Sequence, residues 1–380
     1  MALEALPRAH GQRLTALRSI HGLTQADLAA RLDVTQSFLS HLERGSRPVP
    51  DTLLFQASRE FNLPVSFFTI QLAPAEVGPV TFRKNSRTTA RDEGRIVALY
   101  DEAARLFRGV SETSGYQAAD LPDPADHDDD PELVAEAMRA IAGLGPEDPV
   151  LNATRALERF GIGVVDNLDH LNEDARGHTA VSRPSHYNSR PLVALVADVP
   201  GAVKRLTVLH EAGHLIFDRD LSGPVSTRSP EEKRAYKFAG AYLLPERVVR
   251  RRVSETLNLH GYLTIKADYG ISVGAIIIRA RDLGVISADR ARSLQIQLAS
   301  QGWRYNEPVP VADETPLLLG QAIRKVYGKQ AIAKAAHEIG TAPEWIIQWT
   351  HAHVETPSPG PGKVIDLVQR MHARQTGQAI

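Results

Sequence analysis

Apolar side chains recur at helical spacing through residues 11 to 68, at Leu14, Leu17, Leu23, Leu28, Ala29, Leu32, Val34, Leu39 and Leu42, with short polar joints between them. This pattern predicts a compact, all-helical unit. Thr24 caps a helix that runs to about Leu32, Asp33 and Val34 form a tight turn, and Thr35 caps a second helix ending near Arg44 and Gly45. A loop and the basic run Arg83, Lys84, Arg87, Arg91 and Arg95 lead into an amphipathic helix from about Thr89 to Gly109, for which a solvated face is the expected use of the arginines. The acidic, proline-bearing stretch from Asp120 to Glu132 reads as a loop or linker.

The period then changes. Residues 131 to 161 are helical in pattern, whereas Gly161 to Val165, His178 to Ser182 and Pro191 to Val196 are short runs of strand formers. They lead into an apolar helix, TVLHEAGHLIFD from Thr207 to Asp218, and a further helix opens at Ser229 and Pro230. Residues 262 to 286 repeat a helix-turn-helix rhythm, with Gly270 and Ile271 at the turn and Ser272 as cap. The consecutive Ile276, Ile277 and Ile278 favour packing over DNA reading there. Leu317 to Trp349 is helical, Thr356 to Gly362 is a Pro/Gly-rich linker, and a short amphipathic tail follows.

With 380 residues, 44 Lys and Arg against 45 Asp and Glu, and ordinary apolar content, the chain has room for two or three domains. Its balanced charge means that nucleic-acid binding must rest on a local pattern. The lack of cysteine excludes disulfides and thiolate ligands, so any zinc must be held by histidine and carboxylate. Neither a secretory leader nor a bilayer-length apolar run is evident, which predicts a soluble, cytoplasmic protein without a membrane partner.

The string LTQADLAARLDVTQSFLSHLERGSRPVP resembles the lambda-repressor-like (XRE) helix-turn-helix family. Asp33 departs from it, standing where the family usually has a left-handed glycine, a conformation that aspartate tolerates. The resemblance implies a DNA operator as partner, with Gln36, Ser37 and Ser40 facing base edges and Gln25, Arg44 and Arg47 meeting phosphates. Because such proteins read paired half-sites, it also allows a homodimer.

In the apolar helix, His210, Glu211 and His214 form HExxH. Two imidazoles at i and i+4 project from one face, close enough to share a metal ion, with a glutamate between them. A catalytic zinc site needs a third protein ligand, and the helix after Pro230 offers Glu231 and Glu232 in its first turn. HEAGH followed by EEKRAYKFAGAYLLPE resembles the ImmA/IrrE metallopeptidases. Aligning Ala235, Phe238, Ala239, Leu243 and Leu244 places the family's ligand glutamate on Glu232, with Glu231 its nearest rival. Tyr236 stands where the family usually has asparagine, and Asp218 where histidine is common. Asp218 and Asp220 are candidates to orient the imidazoles, Asp218 also competing as a ligand, and His178, Tyr236 and Tyr242 are candidates for the oxyanion donor.

The fold class implied is multi-domain α+β: an N-terminal all-α helix-turn-helix domain (8 to 70), a zincin-like α+β metallopeptidase domain (80 to 258), a helix-turn-helix-like segment (259 to 300), a helical C-terminal domain (301 to 355), and a linker and tail (356 to 380). The resemblances imply Zn2+, or alternatively Mn2+, at His210, His214 and Glu232, with Glu211 as general base. The implied substrate is a repressor or antitoxin-like protein, cut in a stress or phage response. The competing expectation is a repressor or antitoxin whose peptidase-like domain senses or binds a partner without cleaving.

Overall fold

The computed structural model describes residues 10–70, 80–82, 89–169, 180–221, 223 and 229–352. The predicted basic residues Arg83, Lys84 and Arg87, as well as His178 and the C-terminal linker and tail, lie outside them.

Four helices, α1 (Gly11–Ile20), α2 (Gln25–Arg31), α3 (Gln36–Glu43) and α4 (Asp51–Glu60), and a 3-10 turn at Val65–Thr69 build the N-terminal unit. Its local signals act as their chemistry dictates. Thr24 and Asp27 form a reciprocal capping box at the start of α2, Thr35 caps α3 by accepting from Phe38 N, and Asp33 takes the left-handed conformation at φ 48°. A two-residue strand, β1 (Thr81–Phe82), precedes the long helix α5 (Ala90–Ser114).

A 3-10 turn at Pro124–His127 interrupts the acidic stretch, and helices α6 (Pro131–Ile141) and α7 (Ala153–Arg159) lead to strands β2 (Gly163–Val165), β3 (Ala180–Ser182) and β4 (Leu192–Leu195). Then come α8 (Gly201–Phe217), α9 (Pro230–Leu243), α10 (Glu246–Arg252), α11 (Gly261–Tyr269), α12 (Val273–Asp282), α13 (Ala288–Ser300), α14 (Leu318–Tyr327), α15 (Ala331–Ile339) and α16 (Pro343–Thr350). The α11–α12 turn has Gly270 left-handed at φ 64° and Ser272 as cap. Ile276 and Ile277 are fully buried, whereas Ile278 is about half exposed.

The sheet has the order β1-β3-β4-β2, with β2 and β4 parallel and the other pairs antiparallel. It divides two cores. Val165, Val181, Leu192 and Ala194 pack with the N-terminal helices, α5 and α14 to α16, while Val164, Ala180, Val193 and Leu195 pack with α6 to α13. Successive strand residues point to opposite faces, so a sheet covered on both sides reads as continuous apolar runs, LVAL in β4 being one.

The expected solvated arginine face of α5 fails at Arg95. Its guanidinium spans both carboxylate oxygens of Asp169 at 2.7 and 2.8 Å and also donates to the Ile20 carbonyl, pinning the end of α1 to the body. The acidic stretch likewise ends in structure: Asp130 caps α6, and Glu132 forms a two-bond pair with Arg279 of α12. Among the described residues no helix is long and apolar enough to cross a membrane.

Candidate metal centre and DNA-reading face

The α8 helix is buried on most of its surface, with Val208, Leu209, Ala212, Leu215 and Ile216 in the core that also takes α6 to α13. It lies close against α9. A Cβ at Gly213 would fall 2.9 Å from Ala235 Cα, so the glycine inside HEAGH is what lets the two helix backbones approach. Ser229 caps α9 and Pro230 occupies its first turn. Glu232 is then at the third helical position, where a glutamate ordinarily folds back to the cap's amide.

Instead, the Glu232 carboxylate faces α8, its oxygens 3.5 Å from His210 Nε2 and 3.4 Å from His214 Nε2. The two Nε2 atoms are 3.2 Å apart. His210, His214 and Glu232 are all buried, and their ligand atoms lie within 4.8 Å of one another. Glu231 stays at the margin, where a hydrogen bond to Ser229 lowers its pKa.

Asp218 sits on the far side of His214. Its Oδ2 accepts the Nδ1 proton at 2.6 Å, so that Nε2, on the other side of the ring, faces the site, and its other oxygen pairs with Arg234. Asp218 is thus placed to orient the imidazole, while Asp220 pairs with exposed His186 at 2.9 Å and has no part in the cluster. Burial opposes charge on His214, yet the hydrogen bonds it donates to Asp218 and Glu232 and the nearby Glu211 carboxylate push its pKa up to about 10. Burial likewise opposes ionisation of Glu232, but the two histidines outweigh it and bring its pKa down to about 2. The electrostatics favour positive charge where the two Nε2 atoms converge.

Three carboxylates, those of Glu211, Glu232 and Asp218, are therefore buried around two imidazoles, with Arg234 paired to Asp218. Buried carboxylates are costly unless positive charge answers them. A divalent ion held by His210 Nε2, His214 Nε2 and Glu232 fits this donor set, which is nitrogen and oxygen with no sulfur.

Glu211 lies between the histidines and the sheet in its contacts, acting on the charge of His214 and bonding to the strands. Its Oε2 accepts from Ser182 Oγ of β3 at 2.6 Å and Thr81 Oγ1 of β1 at 3.3 Å, and the two hydroxyl oxygens are 2.8 Å apart. Neither hydroxyl belongs to a motif; the only sequence signal is strand alternation, which puts Ser182 on the same sheet face as Ala180. Of the oxyanion candidates, Tyr236 lays its ring 4.1 Å from that of His210, and Tyr242 packs beside Phe238 in the core, its hydroxyl buried without a hydrogen-bond partner among the described residues.

On the N-terminal unit, Gln36, Ser37, Arg44 and Arg47 are exposed and Ser40 is half-buried. The Gln25 amide donates to the buried Glu43 carboxylate at 2.7 Å, which also takes Arg18 at 3.0 Å. Arg44 reaches the Ser40 carbonyl at 3.2 Å, and Arg47 lies over the Phe38 ring.

Comparison with curated proteins and with solved structures finds no match. Family models match two segments, residues 15–68 as a helix-turn-helix and residues 158–281 as an IrrE N-terminal-like domain of the M78 peptidase family. The chain joins an XRE-type helix-turn-helix DNA-binding domain to an IrrE N-terminal-like domain of that peptidase family.

Proposed function

We propose that this chain is a DNA-binding transcriptional regulator with a built-in metal-dependent endopeptidase, acting in the cytoplasm on a repressor or antitoxin-like protein in a stress or phage response. The observation that carries the reading is the convergence of His210, His214 and Glu232 on one point, with Glu211 on the same helix and bound to the adjoining sheet. Zn2+ or Mn2+ held there supplies Lewis acidity to a peptide carbonyl and acidifies a water.

The chain's own residues do the rest. Asp218 holds His214 in the Nδ1–H tautomer, and Arg234 holds Asp218. Glu211 takes a proton from the attacking water and returns it to the leaving amine, while Ser182 fixes the carboxylate's direction. Gln36, Ser37 and Ser40 read base edges, and Arg44 and Arg47, with Gln25 at the start of α2, approach phosphates, with two copies on paired half-sites.

A non-cleaving sensor is the second reading, favoured by one contact: Ser182 donates at 2.6 Å to Glu211, the group that would have to accept a proton. The two readings separate when the zinc- or manganese-loaded protein and its Glu211→Gln variant are incubated with candidate repressors. Cleavage by the parent, reduced about 10²- to 10⁴-fold in the variant at equal metal content, is the expected outcome. If metal binds and every candidate stays intact with both forms, the peptidase reading is abandoned.

A further inference from the structure

The sequence Val80-Thr81-Phe82 is built of strand formers, and Val80 and Thr81 are buried. It lies outside both matched segments, in the stretch that joins the helix-turn-helix unit to α5. There it covers the outer edge of β3, antiparallel, with Thr81 opposite Ser182 and Phe82 opposite Val181. Without β1, β3 would be an edge strand, the place where an extended peptide adds to a sheet.

Register decides what this strand touches. Ser182 lies on the face turned to α8, and Thr81, directly opposite, shares that face, so its hydroxyl meets both Ser182 Oγ at 2.8 Å and Glu211 Oε2 at 3.3 Å. A peptide lying on β3 beside Glu211 must use the same edge and the same position. A pairing only two residues long is also a small one to give up.

We propose that Val80–Phe82 is a resident pseudosubstrate: the peptide this site takes is an extended segment that pairs antiparallel with β3, places a serine or threonine opposite Ser182, and enters only when β1 leaves. The inference rests on the peptidase reading and adds the backbone geometry and side-chain class of its substrate. With β1 in place, Thr81 Oγ1 occupies the space 3.3 Å from Oε2 of Glu211; with β1 gone the carboxylate keeps Ser182 at 2.6 Å and that space is open to a peptide.

The test uses the absence of cysteine from the chain. Thr81→Cys with Ser182→Cys in the full-length protein replaces two oxygens 2.8 Å apart with thiols positioned to form a disulfide that holds β1 closed. The same zinc-loaded sample, oxidised and then reduced with a phosphine, serves as its own control for loss of the Ser182 hydroxyl. A Val-Thr hydroxamate is titrated into both states by calorimetry, and cleavage of a repressor substrate is followed alongside.

Binding at least tenfold weaker in the oxidised state and restored on reduction is expected; equal affinity overturns the proposal. Binding that switches while neither state cleaves sinks the peptidase activity and leaves the occlusion standing. Equal cleavage by both states does the reverse, and failure to hold zinc at all sinks both. If the disulfide does not form, Val80→Asp puts a carboxylate into the apolar core that the strand packs against and should tighten hydroxamate binding at least tenfold over wild type, an unchanged affinity again counting against the proposal.

Discussion

Asp218 carries two contacts at once, taking the Nδ1 proton of His214 with one oxygen and a guanidinium N–H of Arg234 with the other. Groups so placed behind a metal ligand fix its tautomer and raise its basicity. Asp218→Asn keeps the shape but loses the charge, and zinc affinity measured by chelator competition should fall about 10- to 100-fold; an unchanged affinity would mean that Asp218 serves only the helix end. Helical periodicity alone brought His210 and His214 to one face, and the resemblance singled out Glu232 over Glu231. Whether Asp218 would ligate or support was not legible, because both uses need the same position one turn beyond His214. Ser182 and Thr81 were beyond reach altogether, since they meet Glu211 across 29 and 130 residues of chain through a strand register that no local pattern specifies.

Among the elements, the α8–α9 pair determines whether the ligands meet. Gly213→Ala improves helix propensity by about 1 kcal/mol, but its new methyl would sit 2.9 Å from Ala235 Cα and 3.2 Å from its Cβ, so a backbone must shift. Overpacking of this kind costs about 1–3 kcal/mol and should outweigh the gain. The expected result is a lower melting temperature together with weaker zinc binding, because the displaced helix is the one that carries Glu232; a more stable variant would show that the helices separate freely. The α3 helix poses the parallel question for DNA. Gln36→Ala with Ser40→Ala should reduce discrimination between operator and random duplex by at least about tenfold while the salt dependence of binding stays the same, since base contacts specify and phosphate contacts position. Equal discrimination by double variant and parent in a competition assay would remove α3 as the reading helix.

At the scale of the whole molecule, the sheet wall joins what the sequence presented as separate units. The sequence shows only that Leu317 to Trp349 is helical, yet α14 to α16 complete the core that holds the helix-turn-helix unit against α5 and one face of the sheet. Helical periodicity reveals that a face is apolar but not which partner covers it, and that is why this docking was illegible. Its centre is a buried triad. Glu102 of α5 accepts from Arg13 of α1 at 2.7 Å and from Arg105 at 2.5 Å, Arg13 also donates to the Phe67 carbonyl, and Arg105 reaches the chain at Ile339 to Thr341. Burial opposes the charge on Glu102, but the two arginines outweigh it and hold its pKa below the ordinary value of 4.5. A carboxyl with a depressed folded-state pKa contributes its stability above the unfolded value and loses it as the pH falls through the folded one. Docking should therefore be intact at neutral pH and weaken only in acid below about pH 4.5. Glu102→Ala leaves two guanidinium groups buried without their shared carboxylate, a change that costs about 3–5 kcal/mol. Because the loss falls where the N-terminal unit, α5 and the C-terminal helices meet, calorimetry at pH 7 should show one transition for the parent and two for the variant, the helix-turn-helix unit melting first. A single transition at the parent's temperature would mean that the apolar contacts alone keep the DNA-binding unit docked.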